Sequence, residues 1–176
     1  MKKTVLVFGV ISGLLVATLC LAFIALCYKA GHDGNMYIGY ASQILALSLV
    51  FVGVKNYRDK ENGGIISFGK AFKLGLYISL VASTIYVVAW LVDYYMFIPD
   101  FMDKYAAHVL QQAQHSGKSA AEISKETAEM ANMKEMYKNP VFVILFTYLE
   151  IFPTGLIISV ITALILKKKP EDTVIA

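Results

Sequence analysis

Charge is what this chain has least of: 16% of its 176 residues are charged, against 57% hydrophobic. With a mean hydropathy of +0.60, that balance lies outside the range of soluble globular domains, and an integral membrane protein is expected. Cysteine is nearly absent. The two present, Cys20 and Cys27, are seven positions apart in one apolar run, about 10.5 Å along a helix axis. A disulfide needs Cα atoms within about 7 Å, so these two cannot bridge each other. Disulfide-stapled external loops are thereby excluded, and a bacterial inner membrane suits the composition better.

Catalytic patterns are missing as well. The sequence has no glycine-rich phosphate loop, no serine-nucleophile motif and no metal-ligand pair at one-turn spacing. His108 and His115 are two helical turns apart, too far to share an ion on one helix. A non-enzymatic protein without metal, cofactor or nucleic-acid partner is the expectation.

What the chain does have is four long apolar runs, Thr4 to Tyr28, Tyr37 to Val54, Phe72 to Ile98 and Pro140 to Leu166. Each is near the ~20 residues that a ~30 Å hydrocarbon core requires. Four membrane helices are predicted, over about 4–28, 37–54, 68–98 and 140–166. The fold class expected is all-α, one membrane domain over 1–176: an integral four-helix bundle with an extracytoplasmic helical hairpin, residues 99–139, between helices 3 and 4. The opening Met1-Lys2-Lys3 is similar to the start of a secretory signal, but the apolar run outlasts a signal core and no small-residue cleavage site follows. It is therefore read as a retained helix.

Basic residues set the orientation. Lys2, Lys3, Lys55, Arg58, Lys60, Lys70, Lys73, Lys167, Lys168 and Lys169 all fall on one side if four helices alternate. The short-segment bias then puts both termini in the cytoplasm. Lys55, Arg58, Lys60, Lys70 and Lys73 form a basic interface facing the bilayer's headgroups. Trp90, Tyr94, Tyr95 and Phe97 would form an aromatic belt at the outer end of the third helix, with Tyr37 and Tyr40 at the same level.

Small residues recur at spacings of four: Gly9, Gly13 and Ala17 in helix 1, Ala71, Gly75, Ser79 and Ser83 in helix 3, and Gly155, Ser159 and Ala163 in helix 4. In lipid such stripes let helix backbones approach closely, either inside the bundle or in a homo-oligomer. The turn Gly31 to Asn35 predicts an antiparallel helix 1–helix 2 hairpin, and helix 2 is expected to end near Gly53. Ser42 and Gln43 should face protein rather than lipid.

Between Pro99 and Asn139, Phe101, Tyr105, Val109 and Ala113 read as one apolar helical face, broken at Ser116-Gly117-Lys118. Ser119 and Glu122 have the spacing of a capping box, and Ile123, Met130, Met133 and Tyr137 share a face beyond it. Asn139-Pro140 supplies a cap and first-turn proline for helix 4. The apolar faces of residues 99–139 must cover each other, the membrane surface, the bundle top or a partner, and a contact surface for a membrane or envelope partner is the functional expectation.

Glu150 and Pro153 stand apart from everything else in helix 4. A carboxylate in hydrocarbon costs at least ~2.5 kcal/mol, and a proline frees a backbone carbonyl, so both need local partners. Glu150 lies about 15 Å of rise from Pro140. Depth places Gln43 and Tyr86 in nearly the same layer as its hydrogen-bond partners, with Ser83 or Thr84 as substitutes. The second reading of this site is a small oligomeric transporter or ion-coupled channel that uses Glu150.

The stretches Lys55 to Gly64, Ile66 to Gly75 and Leu149-Glu150-Ile151-Phe152-Pro153-Thr154-Gly155 resemble a family of bacterial membrane proteins catalogued as domain of unknown function 4199. The resemblance covers nearly the whole chain and implies the same four-span membrane architecture. It brings no chemical role for any residue.

Overall fold

The computed structural model describes residues 1–30 and 36–168. The turn expected at Gly31 to Asn35, Lys169 and the tail beyond it lie outside the described residues. Helix α1 spans Lys2–Ala30, α2 Met36–Leu47, α3 Leu49–Asn56, α4 Phe68–Met96, α5 Phe101–His115, α6 Ala120–Tyr137 and α7 Pro140–Leu166. Among the described residues, four stretches are long and apolar enough to cross a membrane: Lys2–Cys27, Tyr37–Glu61, Phe68–Met96 and Pro140–Leu166. Among the described residues there is no β-strand, only an isolated antiparallel bridge between Ile66 and Lys168.

The second span runs further than expected. Gly53 does not end it: α3 continues to Asn56 and a π-helical turn, Tyr57–Glu61, follows. Gly53 serves packing instead, since a Cβ there would meet Ile78 at 2.8 Å and Phe8 at 2.9 Å. The true stop is Gly63-Gly64, with φ of 63° and 78°, a left-handed conformation that side chains resist.

Two compact units divide the chain, residues 1–89 with 148–176, and residues 90–147. In the first, lipid outside is as apolar as the side chains inside, so cohesion comes from close packing and interhelical hydrogen bonds. The glycine stripes supply the closeness. A Cβ at Gly9 would lie 2.7 Å from Val81 and one at Gly13 2.8 Å from Ile85, so the α1 stripe is filled by α4. Gly75 and Gly155 face Ser159 and Ser79 at 3.1 and 2.8 Å, which makes α4 and α7 cross through small residues. Ser79 donates to the Gly155 carbonyl at 3.1 Å and shares a hydrogen bond with Ser159. Helix α1 runs antiparallel to α2–α3: Phe8 approaches Gly53, and Ser12 donates to the Ala46 carbonyl at 2.7 Å.

One end of this unit gathers the basic residues. The Ile66–Lys168 bridge joins the end of α7 to the loop before α4, and the Arg58 guanidinium reaches the Leu166 carbonyl at 3.4 Å. The amino group of Met1 and the Thr4 hydroxyl both donate to Glu61, at 3.0 and 2.6 Å. That loop is less solvated than its charges imply, because Tyr57 and Ile66 are buried.

The second unit holds α5 and α6 with the adjoining ends of α4 and α7. Gly117, at φ 70°, makes the turn between α5 and α6, and an Asp103–Lys134 ion pair links the two helices. The expected capping box is present: Ser119 accepts from the Glu122 N–H at 3.3 Å, and Glu122 accepts from the Ser119 N–H at 2.8 Å. Asn139 caps α7 through the Val141 N–H at 3.0 Å, with Pro140 as its first residue. The α5 face differs from expectation. Tyr105 is exposed and stacks on Phe101 while Met102 is buried in its place; Ala113, on the expected face, is buried. The aromatic belt also resolves differently: Trp90 and Tyr94 are buried, edge-on to Phe101 and Tyr137 at 5.0 and 5.7 Å. Tyr95 and Phe97 remain exposed. Rings of this size gain more from one another than from headgroups when a neighbouring helix offers partners.

Candidate functional site

The polar layer around Glu150 is the most unusual chemistry in the first unit. Helix α7 continues without interruption through Pro153. Pro153 is exposed, and its ring leaves the Leu149 carbonyl without its helical donor. One turn of α7 earlier, Glu150 Oε1 accepts a hydrogen bond from Gln43 Nε2 at 2.6 Å. The Tyr86 hydroxyl reaches the same carboxyl. The structure thus brings Gln43 from α2, Tyr86 from α4 and Glu150 from α7 together, across 107 positions of sequence for the first pair.

Exposure within this layer is uneven. Gln43 is 2% exposed and Tyr86 3%, whereas Glu150 is exposed on the outside of the helix packing. Buried donors therefore hold a carboxylate at the outer side of the helix packing. Two buried oxygens there have no hydrogen-bond partner: Oε1 of Gln43 and Oγ of Ser83. Such atoms are costly in a dry environment unless something satisfies them.

The remaining polar residues fall elsewhere. Thr84 donates to the Leu80 carbonyl of its own helix and shares a hydrogen bond with the Tyr148 hydroxyl at 2.8 Å. Ser42, expected to face protein, is half-buried and donates to the Ile38 carbonyl at 2.9 Å. A serine hydroxyl can satisfy itself on its own helix, which a glutamine amide cannot do as readily. Cys20 was not legible as a site residue from the sequence, yet its thiol lies against Tyr86. Its signal was depth along α1, which spacing within one helix does not connect to α4.

The basic interface occupies the other end of the unit. Lys55, Lys60 and Lys73 are exposed. Arg58 pairs with Asp59 at 2.6 Å. Lys70 bonds to Asn62 Oδ1 and lies 5.2 Å above the buried Tyr57 ring, a cation–π contact that fixes it in place. Gly9, Gly13, Gly75, Ser79, Gly155 and Ser159 all lie at helix–helix contacts. Among the described residues no group of three His, Cys, Asp or Glu is arranged to hold a metal ion.

Comparison with known proteins adds a family and no chemistry. No curated protein and no solved structure matches the chain. A family model described as protein of unknown function (DUF4199) matches residues 7–168, a range that takes in most of the first apolar span, the other three whole, the 99–139 segment and the Glu150 layer. The chain belongs to the DUF4199 family.

Proposed function

We propose that this multi-pass membrane protein acts by association rather than by catalysis, in the inner (plasma) membrane of a bacterium. The bundle of four spans is its anchor, both termini are cytoplasmic, and residues 99–139 face outward as the contact surface for a membrane or envelope component. The observation that carries this reading is α6: none of its residues is buried. Its stripe of Ile123, Met130, Met133 and Tyr137 is only half-covered. Methionines on such a stripe suit a surface that repacks against a partner.

The basic end supports the orientation. The N-terminus, the loop after α3 and the end of α7 meet there, and lysines at one membrane face favour the cytoplasmic side. The glycine stripes that a homo-oligomer would need are already filled by partner helices of the same chain, so any second copy binds through another face.

The test compares affinity recovery after cross-linking in native membranes, using the intact chain and a chain whose 99–139 segment is replaced by a short flexible linker. A partner recovered only with the intact chain is expected. Equal recovery with both chains would remove the reading.

The exposure of Glu150 amid buried polar partners favours a second reading, a small oligomeric transporter or ion-coupled channel. In vesicles, Glu150→Gln would then abolish proton-coupled flux while expression persists. Unchanged flux would sink it.

A further inference from the structure

We propose that the Glu150 layer is a binding site for one small monovalent cation, sodium in the first instance, held by oxygens from three helices. This does not depend on whether the 99–139 segment recruits a partner. Four groups supply the oxygens. The Glu150 carboxylate is fixed by Gln43 at 2.6 Å and touched by the Tyr86 hydroxyl. The Gln43 Oε1 belongs to the same planar amide that already faces the carboxylate, on a residue 2% exposed, and it has no partner. With the nitrogen of that amide donating to the carboxylate, its oxygen is left over as an acceptor for an ion beside it. Ser83 is 0% exposed and its hydroxyl is also unpartnered. Ser79, one turn earlier on α4, contacts Gly155; the antiparallel register of α4 and α7 then sets Ser83 opposite Ile151, beside Glu150.

The charge balance selects the ion. The groups acting on the Glu150 carboxyl are Gln43 and Tyr86, both neutral, so the site offers one negative charge. A divalent ion takes six to eight oxygens and more carboxylate than this layer has. A soft ion would prefer thiolate, and Cys20 lies against Tyr86 with a buried thiol. Hard oxygen donors around a single carboxylate fit a monovalent cation.

Dicyclohexylcarbodiimide tests this directly, because it is apolar and adds to a carboxyl only in its protonated form. A bound cation keeps Glu150 from being protonated and so protects it. The full chain in sodium-free proteoliposomes is labelled in sodium chloride, calcium chloride or choline chloride at matched ionic strength, and the adduct at Glu150 is read by mass spectrometry. Sodium is expected to slow labelling about tenfold, the protection given at roughly ten times the dissociation constant. Choline gives no protection, and Glu150→Gln gives no adduct. Gln43→Leu and Ser83→Ala keep the labelling and lose most of the sodium protection. As a second readout, sodium raises the thermal midpoint of the wild type in detergent and leaves that of Ser83→Ala unchanged. Equal labelling in sodium and choline overturns the proposal, as do absence of labelling in choline and full protection retained in both variants. Stronger protection by calcium than by sodium overturns the monovalent assignment.

Discussion

Replacing Gly155 by alanine isolates the contact that holds α4 to α7. The added Cβ would lie 2.8 Å from Ser79 Cβ and 3.0 Å from Ser79 Oγ. A Cβ is fixed by its backbone and cannot swing aside, so the helices must part by several tenths of an ångström. Overpacking of this kind costs about 1–3 kcal/mol. The separation also weakens the 3.1 Å hydrogen bond from Ser79 to the Gly155 carbonyl, worth about 0.6 kcal/mol between membrane helices. Alanine returns about 1 kcal/mol through its better helix propensity. The net expectation is a loss of about 0.6–2.6 kcal/mol. Gly39 provides the control, since a Cβ there would meet nothing within 4 Å; Gly39→Ala should be neutral or stabilise by up to about 1 kcal/mol. Reversible unfolding in mixed micelles, followed by helix content, measures both. Adding Ser79→Gly to Gly155→Ala removes the clashing Cβ and should recover part of the loss. If Gly155→Ala is as stable as Gly39→Ala, the close crossing of α4 and α7 is wrong.

A double-mutant cycle on Gln43→Leu and Glu150→Gln should give a coupling of about 0.6–1.7 kcal/mol, the range for interhelical hydrogen bonds in membranes; a coupling near zero would mean that the 2.6 Å contact does not stabilise the fold. Ser119→Ala should cost α6 about 1 kcal/mol of local stability, seen as faster amide exchange in its first turn. The Glu122 carboxyl is held below its ordinary value of 4.5, first by the Ser119 hydroxyl and then by the Ser119 N–H. A lowered folded-state value means that this contribution is complete above about pH 4.5 and disappears as pH falls through the folded value. Exchange in α6 should therefore quicken on acidification in the wild type and show a weaker dependence in Ser119→Ala, where the backbone N–H of residue 119 still holds the carboxylate.

Much of the fold is legible in the sequence because the bilayer imposes so few solutions. Run length alone marks the four spans, and Asn139-Pro140, Ser119 with Glu122, and the break at Gly117 fix local boundaries to within a residue or two. Depth counting also brings Gln43 and Tyr86 to Glu150, since helices of known rise share one set of layers. What escapes is rotation about each axis. Nothing in the spacing of α5 says that Met102 rather than Tyr105 turns inward, nor that Trp90 and Tyr94 find rings instead of headgroups. The end of the second span escapes for a related reason: Gly53 looks like a stop, but its missing side chain admits Phe8 and Ile78. The bond from Glu61 to Met1 and Thr4 joins residues about 60 apart in sequence, and no local pattern announces it. Ser83 looks like one more small residue in a stripe. Only the placement of its neighbours makes its unpaired hydroxyl visible.

The proposal of an anchored contact surface requires residues 99–139 and the basic residues to be reached from opposite sides of the membrane. Single cysteines at Ser116→Cys and Lys60→Cys, in a chain with Cys20 and Cys27 replaced by alanine, report each side to a membrane-impermeant maleimide. On intact cells expressing the chain, the account predicts labelling at position 116 and none at position 60 until the membrane is permeabilised. Labelling at position 60 with protection at 116, or equal labelling of both, would contradict it.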